Sequence, residues 1–138
     1  MKENIIIDTD VLIYLNKKKM LDKFVELFDG YITCITLYEY LRGEQRIGRD
    51  IKKVKEFLEN LFVILPFDNE AIHIASKIWS KLSKQGRIIS DRDIINAAIA
   101  IVNELPFVTG NLTHYERLKD FGLDLYSLKD LLTILSNS

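Results

Sequence analysis

Apolar residues along the chain alternate between short continuous runs and longer stretches with helical spacing. The first run covers residues 4–7 and ends at Asp8. Apolar residues then recur at helical spacing from Val11 to Leu15 and from Leu21 to Phe28. The chain is therefore predicted to begin with a short strand that leads into helices.

The same order of strand and helix recurs along the rest of the chain. A second strand is predicted from Tyr31 to Ile35, and Thr36-Leu37-Tyr38-Glu39 has the pattern of a capping box that opens a helix ending near Gly43. The remaining predicted elements are a helix over 51–62, a third strand over 63–65, a helix capped by Asp68 or Asn69 that ends near Lys84, a helix opened by Ser90-Asp91-Arg92-Asp93, a fourth strand over 107–109, and a short strand near Leu125 before a C-terminal helix.

The predicted strands are continuously apolar, which is typical of strands buried on both faces. Strands of this kind that alternate with helices predict an α/β fold with a mostly parallel central sheet covered by helices on both sides. No repeat or Pro/Gly-rich linker interrupts the pattern, so residues 1–138 are expected to form a single domain.

Composition narrows the classes of site that are possible. The chain has 138 residues with 19 basic and 20 acidic side chains, so a nucleic-acid partner would need a local basic patch. Cys34 is the single cysteine, and with His73 and His114 it does not make a usual four-ligand zinc site. The N-terminal residues resemble neither a signal peptide nor a membrane span, and a cytoplasmic protein is expected.

Polar residues collect where the predicted parallel strands end, which is where such sheets bind ligands. These residues are Asp8 and Asp10 after the first strand, Thr36 and Glu39 after the second, Thr109 and Asn111 after the fourth, and Asp91 and Asp93 at the start of the helix that precedes the fourth. Residues distant in sequence are therefore expected to meet at one edge of the sheet.

Helix capping is an alternative role for most of these acids. Glu39 could complete a capping box with Thr36, Asp93 could do so with Ser90, and Asp10 could cap the helix that follows the first strand. Asp8 is harder to explain in this way, because it directly follows three isoleucines. A buried carboxylate without a partner takes up a proton or binds a cation.

Repulsion between the acids favours a bound cation. Two carboxylates about 5 Å apart repel by about 3 kcal/mol at an effective dielectric constant of 20. Arg92 is the one basic residue directly beside these acids in the sequence, and because adjacent helical positions diverge by about 100°, it is expected to point away from Asp93. Oxygen ligands without His or Cys favour Mg²⁺ or Mn²⁺. On this view, loss of one carboxylate leaves the metal-free fold equally stable or more stable.

Four segments in order resemble the PIN-domain family, and within it the VapC-type toxin ribonucleases of type II toxin–antitoxin pairs. The segments are I-I-I-D-T-D-V-L-I at 5–13, I-T-L-Y-E-Y-L-R-G at 35–43, G-R-I-I-S-D-R-D-I-I-N-A-A-I-A at 86–100, and F-V-T-G-N-L-T-H-Y-E-R-L at 107–118. The resemblance covers nearly the whole chain and implies a PIN-like three-layer α/β/α sandwich.

The resemblance also implies roles for individual residues. Asp8, Glu39 and Asp93 match the metal-binding catalytic acids, and Asn111 falls at a fourth position that is often Asp in the family. The position of Asp10 is commonly Asn or Ser, so this chain carries an extra acid there. Supporting roles fall to Thr9, Thr109 and Asp91, with a solvated helix cap as the alternative for Asp91.

The activity implied by the resemblance is Mg²⁺-dependent cleavage of RNA by an endoribonuclease toxin, with Mn²⁺ as an alternative metal. The implied partners are an RNA substrate, a VapB-like antitoxin and a second copy of the chain in a homodimer. Residues 42–55 hold six basic and two acidic side chains, so Arg42, Arg46, Arg49 and Lys52 are candidate RNA contacts. A solvated helix face is the alternative for this basic segment.

Other functions are compatible with parts of the pattern. A haloacid-dehalogenase-type phosphatase also begins with a strand and D-x-D, with the first Asp as nucleophile. A phosphoacceptor receiver domain also gathers acids at strand ends. A PIN fold that binds RNA or protein without catalysis is the non-enzymatic alternative. His73 is predicted on a helix interface and His114 in a surface loop, neither beside the acids.

Overall fold

The structure is a computed structural model and describes residues 2–87 and 89–138. Its strands are β1 (Glu3–Ile7), β2 (Phe28–Thr33), β3 (Val63–Leu65), β4 (Phe107–Thr109) and β5 (Leu125–Ser127). Its helices are α1 (Thr9–Lys17), α2 (Leu21–Leu27), α3 (Cys34–Arg46), α4 (Ile51–Leu61), α5 (Asn69–Lys84), α6 (Asp91–Asn103), α7 (Leu112–Tyr115) and α8 (Leu128–Ser136), with a 3₁₀ helix over Glu116–Phe121.

The strands form one sheet in the order β3-β2-β1-β4-β5, and every pair of neighbouring strands is parallel. The chain builds outward from β1 through β2 to β3, then returns to the other side of β1 with β4. This reversal places a crevice at the carboxyl ends of β1 and β4, the usual ligand position in an open parallel sheet. The predicted α/β fold with a parallel central sheet is confirmed.

Successive residues of β1 face opposite sides of the sheet and so divide the core in two. Ile5 and Ile7 pack with apolar residues of α1, α2 and α8, whereas Ile6 packs with those of α5 and α6. The three isoleucines are almost completely buried. The sheet is therefore covered on both faces, as the three-layer arrangement requires.

The second strand begins three residues earlier than its apolar pattern suggests. Phe24 and Phe28 have the four-residue spacing of one helical face, yet Phe28 begins β2 and stacks on Phe24 with ring centroids 5.3 Å apart. The close approach needs Gly30, where a Cβ atom would lie 2.7 Å from the Phe24 ring. The spacing alone fits both conformations, and tertiary packing decides between them.

The start of α3 also corrects the sequence prediction. Thr33 is the N-cap, and its side chain accepts a hydrogen bond from the Thr36 backbone N–H. The predicted capping box of Thr36 with Glu39 is therefore wrong, and the helix continues past Gly43 to Arg46. This shift frees the Glu39 side chain for contacts with other elements.

Most of the other predicted elements agree with the structure, including the Asp68 cap of α5 and the Ser90 cap of α6. The short helices over 112–121 had no sequence prediction. In the two ranges that the structure describes, every helix is too short or too polar to cross a lipid bilayer.

Candidate active site

Asp8 lies at the carboxyl end of β1 and is 1% exposed. Its Oδ1 accepts a hydrogen bond from the Thr9 backbone N–H at 2.8 Å, and its Oδ2 accepts one from the Thr109 hydroxyl at 2.9 Å. Thr109 reaches this carboxylate because β4 pairs directly with β1. Asp8 is also the N-cap residue of α1, so the predicted capping role of Asp10 is wrong.

Glu39 reaches the same place from the second turn of α3. Its Oε1 accepts a hydrogen bond from the Thr9 hydroxyl at 2.6 Å. The Thr9 hydroxyl also lies 3.1 Å from that of Thr36, which is fully buried. Thr9 therefore links the end of β1 to α3 and fixes the orientation of the Glu39 carboxylate.

Asp93 enters the site from the first turn of α6. Its backbone N–H donates to the Ser90 hydroxyl at 3.3 Å, which satisfies one of the free donors at the helix start. The Asp93 side chain is 8% exposed and is directed at the other acids rather than at solvent. The carboxylates of Asp8, Glu39 and Asp93 thus converge from three separate elements.

Arg92 lies between these three carboxylates and corrects the expectation that it points away. Its Nη2 donates to Asp8 Oδ1 at 2.8 Å, its Nη1 donates to Asp93 Oδ1 at 2.8 Å, and its Nε donates to Glu39 Oε2 at 2.6 Å. A second bond joins Nη2 to Glu39 Oε1 at 2.8 Å. The Cβ atoms of these neighbouring residues do point in different directions, but the arginine side chain is long enough to turn back toward Asp93.

The Arg92 guanidinium sets the charge balance of the site. Hydrogen bonds to Glu39 raise the pKa of Arg92 above its usual value, although burial opposes the charged form. Burial alone would raise the pKa of Glu39, but hydrogen bonds from Arg92 and Thr9 outweigh it, and the Glu39 pKa lies below its usual range. Both groups are therefore charged at neutral pH.

A buried polar chain behind Arg92 was not anticipated from the sequence. Arg92 Nη1 donates to the Tyr115 hydroxyl at 3.1 Å, and Asn96 Nδ2 donates to the same oxygen at 3.4 Å. The Thr33 hydroxyl donates to Asn96 Oδ1 at 2.7 Å. Burial, and then the Asp8 charge, raise the pKa of Tyr115, so its hydroxyl stays neutral. The signal for Asn96 was an amide among the alanines and isoleucines of a buried helix.

Asp10 and Asn111 form a second polar group beside the three acids. Asp10 Oδ2 accepts hydrogen bonds from the Gly110 backbone N–H at 2.9 Å and from Asn111 Nδ2 at 3.3 Å. Asp10 Oδ1 is buried and has no hydrogen-bond partner among the described residues. Burial, with repulsion from Asp8, raises the pKa of Asp10. Asp10 therefore holds the loop after β4 against the start of α1.

Some predicted site residues lie elsewhere. Asp91 is exposed, and two helical positions place it about 200° around α6 from Asp93, in a groove lined by Trp79 and Ile95. The structure does not bring it to the acids. Arg42, Arg46, Arg49 and Lys52 are exposed on α3, α4 and the segment between them. Of these, Arg42 lies near enough to lower the pKa of Glu39, after the larger effects of burial, Arg92 and Thr9.

His114 lies nearer the acids than its predicted place in a surface loop suggested. Its Nδ1 is 3.9 Å from Asp93 Oδ2, and the side chain is 64% exposed. With Arg117 it lines a pocket of about 330 Å³ that opens beside Asp93 and is completed by Ile89, Ser90 and Thr113. The pocket therefore brings a second arginine, Arg117, next to the site.

The chemistry of the donors suits a hard divalent cation, but the present arrangement holds a guanidinium instead. Asp8, Glu39 and Asp93 offer oxygen atoms alone, which Mg²⁺ and Mn²⁺ prefer. Throughout residues 2–87 and 89–138, no group of three or more His, Cys, Asp or Glu side chains is spaced to hold a metal ion. The donor set fits the metal in kind, and Arg92 occupies the space between the donors.

Comparison with known proteins agrees with this architecture. The PIN domain family matches residues 5–119. The chain is 38% identical over 125 residues to Ribonuclease VapC1 of Methanocaldococcus jannaschii, covering 91% of this chain and 88% of that protein. It is 32% identical over 132 residues to Ribonuclease VapC1 of Rickettsia felis, covering 91% of this chain and 98% of that protein.

Solved structures share the fold. The chain matches a chain of VapBC-1 from nontypeable Haemophilus influenzae with a TM-score of 0.74 at 24% identity, covering 91% of this chain and 98% of that one. It matches a chain of DNA-bound VapBC from Salmonella typhimurium with a TM-score of 0.74 at 23% identity, covering 93% and 99%. At these identities the likeness concerns the fold.

Proposed function

The chain belongs to the PIN-domain family, and within it to the VapC group, and we propose from this that it is a metal-dependent endoribonuclease toxin of a toxin–antitoxin pair. The observation that carries the proposal is that Asp8, Glu39 and Asp93 come from three elements and meet around the Arg92 guanidinium. Buried carboxylates cost free energy unless their charge is offset, and one guanidinium offsets only one of these three charges, so the cluster points to a role in binding a cation. Named relatives that are ribonucleases support RNA as the substrate.

The three carboxylates are the residues that would hold Mg²⁺ or Mn²⁺. Such an ion would lower the pKa of the attacking water and offset charge on the phosphodiester. Thr109 and the Thr9 backbone N–H keep the Asp8 carboxylate oriented, and the Thr9 hydroxyl does the same for Glu39. These contacts fix the donors in advance, which is what transition-state stabilisation by charge requires.

RNA would reach the site across two cationic surfaces. One is the basic segment 42–55, which begins one helical turn after Glu39. The other is the pocket beside Asp93, where His114 and Arg117 lie. A strand held between them would place a phosphate over the acids, because the acids lie between the two surfaces in the crevice after β1.

The proposed antitoxin would dock along α3. A groove of about 340 Å³ runs from Glu39 to Ile47 and includes Ile13 and Glu44. Ile13 is 48% exposed and Ile47 is 65% exposed. Glu44 Oε2 is buried without a hydrogen-bond partner among the described residues, and Arg49 Nε lies 3.9 Å from it. An apolar segment that carries a basic side chain fits this lining. Solved VapBC structures of the same fold support such a partner.

A second copy of the chain would pack on the opposite face in the proposed homodimer. Trp79 is 56% exposed on α5, and the groove beside it contains Phe67 and Ile95. Exposed apolar surface of this kind is typical of protein interfaces. Light scattering of the wild type and of Trp79→Lys tests the homodimer, since the variant should be monomeric while keeping its cleavage activity per site.

Cleavage of a single-stranded or loop-containing RNA by the purified chain tests the enzymatic proposal. Cleavage is expected with Mg²⁺ or Mn²⁺, to stop in excess EDTA, and to be absent in Asp93→Asn. Asp91→Asn is the matched control, because it removes the same charge from the exposed side of the same helix turn. Cleavage by Asp93→Asn, or undiminished cleavage in EDTA, would show that the acids do not act through a metal. RNA binding without any cleavage would identify a binding module.

A further inference from the structure

Arg92 is the part of the site that the proposed activity leaves unexplained. We propose that Arg92 is an internal counter-ion that takes the place of the metal ion in the metal-free protein, so that a divalent cation binds only when this side chain leaves the carboxylates. The inference rests on the metal-dependent function proposed above. Arg92 controls metal binding by holding the carboxylates, and it takes no part in the reaction itself.

The hydrogen bonds of Arg92 use the oxygens that a metal ion would need. Arg92 contacts both oxygens of Glu39, Oδ1 of Asp8 and Oδ1 of Asp93, all at 2.6–2.8 Å. The other oxygen of Asp8 already accepts a hydrogen bond from Thr109, and the remaining carboxylate oxygen, Asp93 Oδ2, lies 3.9 Å from His114 Nδ1. Mg²⁺ requires oxygens about 2.0–2.1 Å from one point, whereas a planar guanidinium spreads its donors over a wider area. Guanidinium and metal ion cannot occupy the cluster together.

Charge explains why the cluster needs one occupant or the other. Three carboxylates and one guanidinium leave a formal charge of about −2 in a site where Asp8 and Asp93 are nearly excluded from water. Without Arg92 the charge would be about −3, and the mutual repulsion of the three carboxylates would have no positive charge to offset it. Arg92 therefore stabilises the metal-free fold, and a divalent cation can replace it.

Arg92 is placed so that it can leave without unfolding its helix. Its side chain is 32% exposed, whereas those of Asp8 and Asp93 are 1% and 8% exposed. Its backbone lies in the first turn of α6, which the Ser90 cap holds independently of the guanidinium. Rotation about side-chain bonds alone can move the charge to solvent, because the side chain is partly exposed and no backbone hydrogen bond has to break.

Competition of this kind lowers the apparent metal affinity by the fraction of molecules whose site is open. An Arg92→Gln variant, which cannot neutralise the acids, is expected to bind Mn²⁺ about tenfold more tightly or better than the wild type. Arg92→Lys keeps a charge but not the branched donor geometry, so its affinity should lie between the two.

The experiment measures Mn²⁺ binding to the full chain after metal removal, by calorimetry and by the electron paramagnetic resonance signal of free Mn²⁺. The samples are the wild type, Arg92→Gln, Arg92→Lys and, as a control for loss of an exposed arginine, Arg87→Gln. Thermal midpoints without metal are recorded for each. We expect the order of affinity to be Gln, then Lys, then wild type, with Arg87→Gln equal to wild type and Arg92→Gln less stable when metal is absent.

The outcomes separate this inference from the proposed function. Equal or weaker Mn²⁺ binding by both Arg92 variants would overturn the competition while leaving a metal-dependent nuclease intact. Absence of Mn²⁺ binding in all four proteins would instead overturn the proposed metal site. If Arg92→Gln does not fold without metal, Arg92→Lys decides, because an affinity equal to that of the wild type would contradict the proposal.

Discussion

Glu39 and Arg92 are joined by two parallel hydrogen bonds, from Nε to Oε2 at 2.6 Å and from Nη2 to Oε1 at 2.8 Å. Paired bonds between a guanidinium and a carboxylate are among the stronger and more directional contacts in proteins. They connect α3 to α6 across 53 positions of sequence. The same guanidinium holds Asp8 and Asp93, so the site is a structural junction as well as a cluster of acids.

This junction determines the expected stability of Asp8→Asn. The substitution removes the charge that Arg92 contacts and places an amide donor opposite the Arg92, Thr9 or Thr109 donors. We expect cleavage to be abolished and the metal-free protein to lose about 1–3 kcal/mol of unfolding free energy, the cost of leaving buried partners unsatisfied. If repulsion between the acids dominated, Asp8→Asn would instead raise the free energy of unfolding. Denaturant melts in EDTA measure this free energy, with Asp91→Asn as the control.

Asp10→Asn is expected to stabilise the metal-free protein at neutral pH. Burial, together with the Asp8 charge, raises the pKa of Asp10 above its unfolded value. The folded state therefore binds a proton more readily than the unfolded chain, and ionised Asp10 costs stability above its folded pKa. The cost decreases as pH falls through that pKa. The gain from Asn should be at most about 1 kcal/mol, because the group is partly exposed.

Thermal midpoints of wild type and Asp10→Asn over a pH series test this sign. The thermal midpoint of the variant should be higher than that of the wild type at about pH 7. The difference between the two midpoints should shrink toward about pH 4, as Asp10 takes up its proton in the wild type. Glu39, whose pKa is lowered, loses its contribution as pH falls below its ordinary value in both proteins, and this loss cancels in the difference. A gap that widens on acidification would contradict the raised pKa.

Gly110 is expected to tolerate a side chain only when Asp10 is absent. A Cβ atom at Gly110 would lie 2.5 Å from Asp10 Oδ2, the oxygen that accepts the Gly110 N–H bond. Gly110→Ala should therefore push the carboxylate away and cost about 1 kcal/mol, the value of a net hydrogen bond. In an Asp10→Ala background the same change should be nearly neutral. A double-mutant cycle measures this coupling, and additive costs would show that the two side chains do not interact.

The sequence predicted where polar residues collect, because parallel strands end at a common edge, and the resemblance to PIN domains singled out Asp8, Glu39 and Asp93 among them. Asp8 follows an apolar run, Asp93 lies in the first turn of its helix and Glu39 in the second turn of its helix. Errors of a few residues in the predicted element boundaries therefore leave all three near the same edge of the sheet. Glu39 lies beside the other two acids even though its predicted capping role was wrong. Thr33 and Thr36 both fit a cap, and only the packed helix distinguishes them. Element order thus predicts where the acids meet.

The sequence did not predict which group neutralises the acids. Helical spacing gives the direction of a Cβ atom, whereas the Arg92 side chain is long enough to reverse that direction and reach three elements. Tyr115 and Asn96 were missed for a related reason, because their hydrogen bonds depend on how α7 packs on α6. Interactions made by the ends of long side chains depend on tertiary packing and not on local pattern.

The basic segment is expected to bind the phosphates of RNA. Arg46, Arg49 and Lys52 are exposed, and the pair of Arg49 with Glu44 at 3.9 Å is too long and too exposed to hold the arginine in place. Charge reversal of all three to Glu should weaken binding of single-stranded RNA and flatten its salt dependence. For every phosphate that the variant no longer neutralises, the slope of log K against log salt should fall by about 0.7.

Binding should be measured in an Asp93→Asn background so that the RNA stays intact, with salt varied at constant Mg²⁺. Charge reversal of Lys77 and Lys84, exposed on α5, is the control for a general change in net charge. If the segment tracks the RNA backbone, its triple variant has a flatter slope and the α5 variant does not, because counterion release depends on the phosphates neutralised rather than on total charge. An equal decrease of the slope in the triple variant and in the α5 variant would show that the segment is only a solvated helix face. An unchanged slope in the triple variant would place the RNA path on the side of His114 and Arg117.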